Sequence, residues 1–350
     1  MADGKDLLVG LDIGDHAIKL IQLRWENDGF SLEKLGTVAL EDGVMRAGGI
    51  ADESALVQAI RGLLEKEEVT QRKVAVALAG NNVALRTVWV PKTDRKEMEA
   101  LIAWEGEQYL PFPVEESTLD YNIQGETEED GETWSQVLLA AARRSFVDQY
   151  REVLEQAGLQ PVVMDCAPLA LENGFESSGI LEEEEGLALL DIGSQVTCVH
   201  LLGGGLSLFT RFVDLGGDDY TRAVAEGLDV DFAKAEEIKC GRDPDHPVDS
   251  LSGVLDPVTD RLASITRRIF STYDAEWPDL PIRGVVLSGG GGQLLGLESQ
   301  LAKVLGLPVE VANPFARVSF SDEDFDPDFV AAMAPLSAVA MGLGIRSIDD

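Results

Sequence analysis

The chain has 350 residues, with 63 acidic side chains against 28 lysines and arginines and a formal charge of −35 at neutral pH. Such a surface repels nucleic-acid phosphates and anionic lipid headgroups, which excludes a nucleic-acid binder and a polybasic membrane-surface protein and leaves basic partners or plain solubility. The length suffices for two domains, and the scattered, odd-numbered Cys166, Cys198 and Cys240 predict buried thiols in a reducing compartment, with no zinc spacing among them or the three histidines.

The polar, acidic N-terminus lacks the apolar core of a signal peptide, so the expected location is the cytoplasm. Three strands are predicted at 7–13, 18–24 and 30–39, with Asn27-Asp28-Gly29 as a hairpin turn. Asp52 is placed to cap a helix whose Leu56, Ile60, Leu63 and Leu64 share one face. KVAVALAG, from Lys73, reads as a buried strand. VALRTVWVP is the next strand, and Asp94 with Glu97 opens a helix that runs to Tyr109 and stops at Leu110-Pro111. LDYNIQG and WSQVLLAAA are two more strands, parted by the acidic loop tip ETEEDGE. Ser145 and Asp148 start a further helix with Phe146, Val147, Tyr150, Val153 and Leu154 on one face and Gly158 past its end. This strand–helix–strand–strand–helix run reads as a small inserted α+β subdomain. LEEEEG at 181–186 is a solvated acidic linker. FVAAMAPLSAVAMGLGI, interrupted by Pro335 and rich in Ala and Gly, reads as a closely packed buried helix rather than a membrane span.

After the linker the opening pattern returns. GLALLDIGSQVTCVHLLGGG repeats DLLVGLDIGDHAIKLIQL: apolar strand, Asp-Ile-Gly, polar turn, apolar strand. One such tripeptide is weak, but two in the same context imply two similar halves facing one another. A glycine just after a strand lets successive N–H groups turn inward as an anion-binding nest. Two nests could grip a polyphosphate from both sides. Asp12 and Asp191, at the strand ends, would hold hydrated Mg²⁺, and Lys19 would neutralise phosphate charge. A third glycine turn, GVVLSGGGGQLL, follows a third buried strand and leads to a helix striped by Leu294, Leu297, Leu301, Val304 and Leu305, closed by Gly306 and Pro308. It lets the backbone approach a flat ligand such as adenine. It is neither a Walker A loop nor a dinucleotide fingerprint.

Phosphate hairpin, second phosphate hairpin and glycine-rich adenosine turn, in that order, resemble the actin-like ATPase superfamily of actin, Hsp70 chaperones, sugar kinases and FtsA. LIAWEGEQYLPFPVEESTLDYNIQG, VLLAAARRSFVDQYREVLEQAGLQPVVMDCAPLALENGF and FTRFVDLGGDDYTRAVAEGLDVDFAKAEEIK narrow this to a resemblance to the PilM family of type IV pilus assembly proteins, over nearly the whole chain. The resemblance implies an α/β, FtsA-like, two-lobed actin-like fold with duplicated ribonuclease H-like halves. The first lobe would comprise 1–80 and 151–185 with the C-terminal helix 330–350, the inserted α+β subdomain 81–150, and the second lobe 186–330. It implies an ATP-binding adaptor of the pilus inner-membrane platform, at most a slow ATPase. The adaptor docks the cytoplasmic tail of a PilN-like membrane protein and meets the inner membrane only through that partner; self-association stays open. Nucleotide contacts fall on Asp12, Gly14 and Lys19, on Asp191, Gly193 and Thr197, on Glu236 and Lys239, and on Gly289, Gly290 and Gly291, with the C-terminal MGLGIRS closing the cleft. Asp15 and His16 stand where the family usually has small hydroxyl residues, which adds a repulsive carboxylate, and no side chain matches the water-positioning group of faster ATPases; Glu172 and Asn173 are the nearest in sequence. The alternatives are the cytoplasmic domain of a type II secretion L-type protein, which would continue into a transmembrane helix, a nucleotide-free scaffold, and, less favoured, a small-molecule kinase of the same superfamily.

Overall fold

The computed structural model describes residues 7–26, 29–46, 48–129, 131–179 and 186–347. The hairpin residues Asn27 and Asp28 and the acidic linker residues 181–185 lie outside these. Two sheets share one topology. In the first, Ala17–Glu26 pairs antiparallel with Val9–Ile13 on one side and Gly29–Ala39 on the other, and Lys73–Leu78 then Gln160–Cys166 add in parallel beyond Val9–Ile13. In the second, Thr197–Gly203 lies between Gly186–Ile192 and Leu206–Val213, and Ile282–Ser288 then Val309–Val311 add in parallel beyond Gly186–Ile192. The sequence repeat is therefore a duplicated five-strand unit; a short strand, Val318–Ser319, extends the first sheet beside Gly29–Ala39. The alternation of short apolar runs with helical stripes produces this α/β layering, because each sheet buries both faces.

In the first unit, helix Glu53–Lys66 is capped by Asp52, which accepts from Ala55 N, and buries Leu56, Ile60, Leu63 and Leu64. In the second, Gly217–Leu228, Phe232–Lys239 and Ser252–Glu276 occupy the same place in the chain order, and Leu297–Leu305 follows the fourth strand. The insert leaves the first unit after its fourth strand. Its sheet runs Val83–Pro91, Glu132–Arg143, Ser117–Glu129 in spatial order, and Val88, Val90, Val137 and Leu139 bury against Met98 and Ile102 of helix Arg95–Tyr109. Asp94 caps that helix through Glu97 N. Helix Arg144–Gln156 then packs Phe146, Tyr150, Val153 and Leu154 into the same core as Leu56 and Ile60 of the first lobe.

Each unit's fifth strand leads to a helix rich in small residues, Ala167–Ser178 in the first half and, after a further turn of chain, Ala338–Gly344 in the second. These two helices lie between the sheets, in a core that mixes Ala75 and Ala77 of the first with Leu189 and Val286 of the second. They meet backbone to backbone: a Cβ on Gly174 would collide with the Ala338 carbonyl and one on Gly342 with the Ala170 carbonyl.

Several expectations are corrected. Most of the ETEEDGE tip is strand and not loop: Glu126 pairs with Ser135 and Glu129 with Glu132, because a long two-stranded ribbon tolerates charge on both solvated faces. Helix Arg144–Gln156 begins before Ser145 and has no side-chain cap. The C-terminal apolar segment is broken into Pro327–Met333, a tight turn through Pro335, and Ala338–Gly344, bent by 94°. Proline lacks the N–H a continuous helix needs. Among the described residues no single helix is long and apolar enough to cross a membrane. Cys240 is exposed, whereas Cys166 and Cys198 are buried.

Candidate functional site

The two Asp-Ile-Gly turns are built alike. Gly14 N donates to Ala17 O at 3.1 Å, and Gly193 N donates to Val196 O at 3.0 Å. Across the first hairpin Asp12 faces Lys19, and Lys19 Nζ lies 3.2 Å from Asp12 Oδ2. Across the second, Asp191 faces Cys198, so its carboxylate has no cation in the equivalent place. In the first turn Asp15 Oδ1 accepts from Gly48 N at 2.8 Å, and Tyr150 donates to Gly48 O at 3.1 Å, which ties the turn to the loop before helix Glu53–Lys66.

The second turn is held by the helix that follows its hairpin. Gly217 N donates to Gly193 O at 2.9 Å and Asp218 N to Ser194 O at 2.7 Å. A Cβ on Gly216 would lie 2.5 Å from Ser194 O, so the helix start can approach this closely only as glycine. On the next helix Lys239 Nζ contacts Glu236 Oε2 at 2.6 Å, Thr221 Oγ1 at 2.9 Å and Gly217 O at 3.2 Å. Thr221 also donates to Glu236. Burial raises the Glu236 carboxyl, but these bonds outweigh it and hold the group below its ordinary pKa.

The four-glycine turn begins at Gly289 with φ +80, and its N–H donates to Pro335 O at 2.8 Å. A Cβ there would lie 2.5 Å from Ile192 O and 2.8 Å from Asp191 Oδ1, and one on Gly291 would strike the Ile192 side chain. The glycines thus allow this turn to pack on the second Asp-Ile-Gly strand. A short 3₁₀ turn, Gly290–Gln293, follows, and the helix starts only at Leu297, later than its apolar stripe suggests.

All three turns line one cavity of about 370 Å³, within the range of small-molecule sites. Asp12, Gly14, Lys19, Asp191, Gly193, Glu236, Lys239, Gly289, Gly290 and Gly291 contribute to it. A side pocket of about 170 Å³ opens between Lys239, Cys240 and Arg242 on one side and Gly290, Gly291 and Leu294 on the other. Thr197 is the exception among the expected contacts. It is fully buried, and its hydroxyl donates to Leu215 O at 2.6 Å. Ser194 and Gln195 present the second turn to the cavity instead. The returning strand reaches the space through Cys198, and alternation along it turns Thr197 the other way. Of the C-terminal segment, Leu336 and Val339 line the cavity, while Met341 to Gly344 are buried. Glu172 is turned away: its carboxylate meets His200 Nε2 at 3.1 Å.

Burial raises the Asp191 carboxyl to about 6, helped by the charge of Asp12 and opposed by Lys19 and Ser288. Asp15 and Asp218 are raised by burial as well. Two carboxylates that share a site and resist joint ionisation suit a divalent cation. Mg²⁺ fits this donor set because it keeps several waters and needs only one or two carboxylates beside phosphate oxygens. Among the described residues no group of three or more acidic, His or Cys ligands exists that would form a full protein cage.

The chain matches the family described as type IV pilus assembly protein PilM over residues 10–348. A solved PilM-PilN type IV pilus biogenesis complex is similar at TM-score 0.87 and 33% identity, over 99% of this chain and 100% of that one. The cell division protein FtsA of Neisseria meningitidis is 24% identical over 94% of this chain and 89% of its own length. FtsA of Bacillus subtilis is 25% identical over 68% of this chain, which spans 58% of that protein. MreB5 of Spiroplasma citri bound to ADP shares the fold at TM-score 0.53 and 14% identity, over 95% of this chain and 94% of that one.

Proposed function

The chain belongs to the PilM family of type IV pilus assembly proteins, and from that membership we propose that it is an ATP-binding adaptor of the pilus inner-membrane platform, which docks the cytoplasmic tail of a PilN-like membrane protein. The observation that carries the nucleotide half of this reading is the convergence of both Asp-Ile-Gly turns and the glycine turn on one cavity. The base would enter the side pocket beside Gly290 and Arg242, Glu236 and Lys239 would face the ribose, and the phosphates would lie between the two hairpin turns. Asp12 and Asp191 would hold Mg²⁺ there, which would supply charge neutralisation for the phosphates. Asp15 is engaged with Gly48 N, which draws its charge toward the loop and lessens the repulsion its position implies.

Hydrolysis is slow at most. Glu172, the nearest acid in sequence to a water-positioning role, is engaged with His200 outside the cavity. The platform role rests on family membership and on the partner named in the similar complex. Location at the cytoplasmic face of the inner membrane follows from that partner.

Mg-ATP raises the melting temperature, as a ligand at a hundred times its Kd adds about 2.7 kcal/mol, and Asp191→Ala reduces the shift. A basic, amphipathic N-terminal peptide of the PilN-like protein binds saturably and more weakly as salt rises. No shift with Mg-ATP removes the nucleotide half; no saturable peptide signal at low salt removes the adaptor half.

A further inference from the structure

Helix Phe232–Lys239 brings Glu236 and Lys239 to the cavity and then closes tightly. Gly241 follows in the left-handed conformation, with φ +68. Its N–H donates to Ile238 O at 3.0 Å, and Arg242 N donates to Glu237 O at 2.9 Å. This pair of bonds is the Schellman closure of a helix end, and it fixes where residue 242 stands relative to Glu236 and Lys239. An apolar residue commonly takes that place and packs back on the helix. Here the residue is an arginine, and it lines both the main cavity and the side pocket.

The loop beyond it is anchored separately. Pro244 and Pro247 restrict its backbone. Asp243 is buried, and its carboxylate meets Lys234 Nζ at 2.8 Å, His246 Nδ1 at 3.2 Å and Asp245 N at 2.9 Å. Lys234 belongs to the same helix, so the loop is tied back to the wall that carries Glu236 and Lys239. Across the side pocket stand Gly290, Gly291, Gln293, Leu294 and Leu295, none of them charged. Leu295 is 64% exposed, more than any other large apolar side chain among the described residues. A lone exposed leucine is ordinary, but this one forms the lip opposite a guanidinium.

We propose that Arg242 and Leu295 are the two jaws of a clamp on the nucleotide's base, with Arg242 stacked on the ring face and Asp243 as the residue that positions it. The inference rests on the nucleotide reading above and assigns the base-binding side chains of that site. A guanidinium plane on an aromatic face gains from its charge and from flat contact together. Leu295 gains by losing water when a ring covers it. Both jaws act on the base, so a ligand with phosphates and no base makes no use of them. Asp243 holds the loop before any ligand arrives, which lowers the ordering cost of presenting a long arginine side chain.

The test is calorimetry of the full chain with Mg-ATP and, separately, with Mg-tripolyphosphate, which has no base. Arg242→Gln, at an exposed position, weakens Mg-ATP by about threefold to thirtyfold, while tripolyphosphate responds alike in parent and variant. Arg242→Lys keeps the charge without the plane and recovers only part of the loss. Leu295→Ser also weakens Mg-ATP and spares tripolyphosphate. Asp243→Asn weakens Mg-ATP too, and added to Arg242→Gln it causes no further loss, because it acts through the arginine. The clamp is overturned if Arg242→Gln binds Mg-ATP as the parent does, if it weakens both ligands by the same factor, or if Arg242→Lys restores the affinity fully. Additive losses in the double variant overturn the positioning role of Asp243. A parent that does not bind Mg-ATP overturns the nucleotide reading itself, which all the other outcomes leave standing.

Discussion

Asp191→Asn should make the ligand-free protein more stable. The carboxyl is held at about 6 in the folded chain against 3.8 for the ordinary group, first by burial and then by the nearby Asp12 charge. The folded state therefore keeps a proton that the unfolded chain has released between those values. Stability falls as pH rises through that window and is flat above it. A gap of that size corresponds to about 3 kcal/mol at about 1.4 kcal/mol per pKa unit, an upper figure because the side chain is not wholly sequestered. Asparagine keeps the shape and removes the charge. In chelating buffer without nucleotide, urea unfolding at pH values from about 4 to about 8 should give a variant more stable by about 1–3 kcal/mol at the alkaline end, with the advantage vanishing toward the acidic end. Saturating Mg-ATP should reverse the order, since only the parent gains from the cation. A variant less stable than the parent at every pH, or an advantage that does not change with pH, would refute the reasoning.

Gly342→Ala should destabilise by about 1–3 kcal/mol in urea unfolding, against the usual gain of about 1 kcal/mol for alanine in a helix, because its methyl group would overlap the Ala170 carbonyl. Thr197→Val should lower stability by about 1–3 kcal/mol through the stranded Leu215 carbonyl and leave Mg-ATP affinity unchanged by calorimetry. A loss of affinity without a loss of stability would return Thr197 to the nucleotide site.

The duplicated Asp-Ile-Gly units were legible because they combine a local turn requirement with a period-two apolar pattern, and both requirements are written in adjacent residues. The duplicated α/β layering follows from the same repeat, and its actin-like form is what the family resemblance implies. What escaped is non-local. The family resemblance makes Thr197 a nucleotide contact, but its hydroxyl serves Leu215, which lies on another segment. The glycine run reads in sequence as room for a ligand; at Gly289 and Gly291 the demand comes from Ile192, almost a hundred residues earlier. Cys240 sits at the end of its helix, where composition cannot tell a core-facing position from a cavity rim. The contact between the insert and the second lobe, Thr87 with Ser207, joins two edges that no periodicity connects.

Between the two halves, the helices Ala167–Ser178 and Ala338–Gly344 touch through their main chains. A contact of that kind has no rotamers to yield, so the gap separating the sheets is dictated by peptide atoms that every sequence possesses. Substitution at Gly174 or Gly342 therefore acts as a wedge, displacing one whole half against the other and altering the mouth of the cleft from a distance.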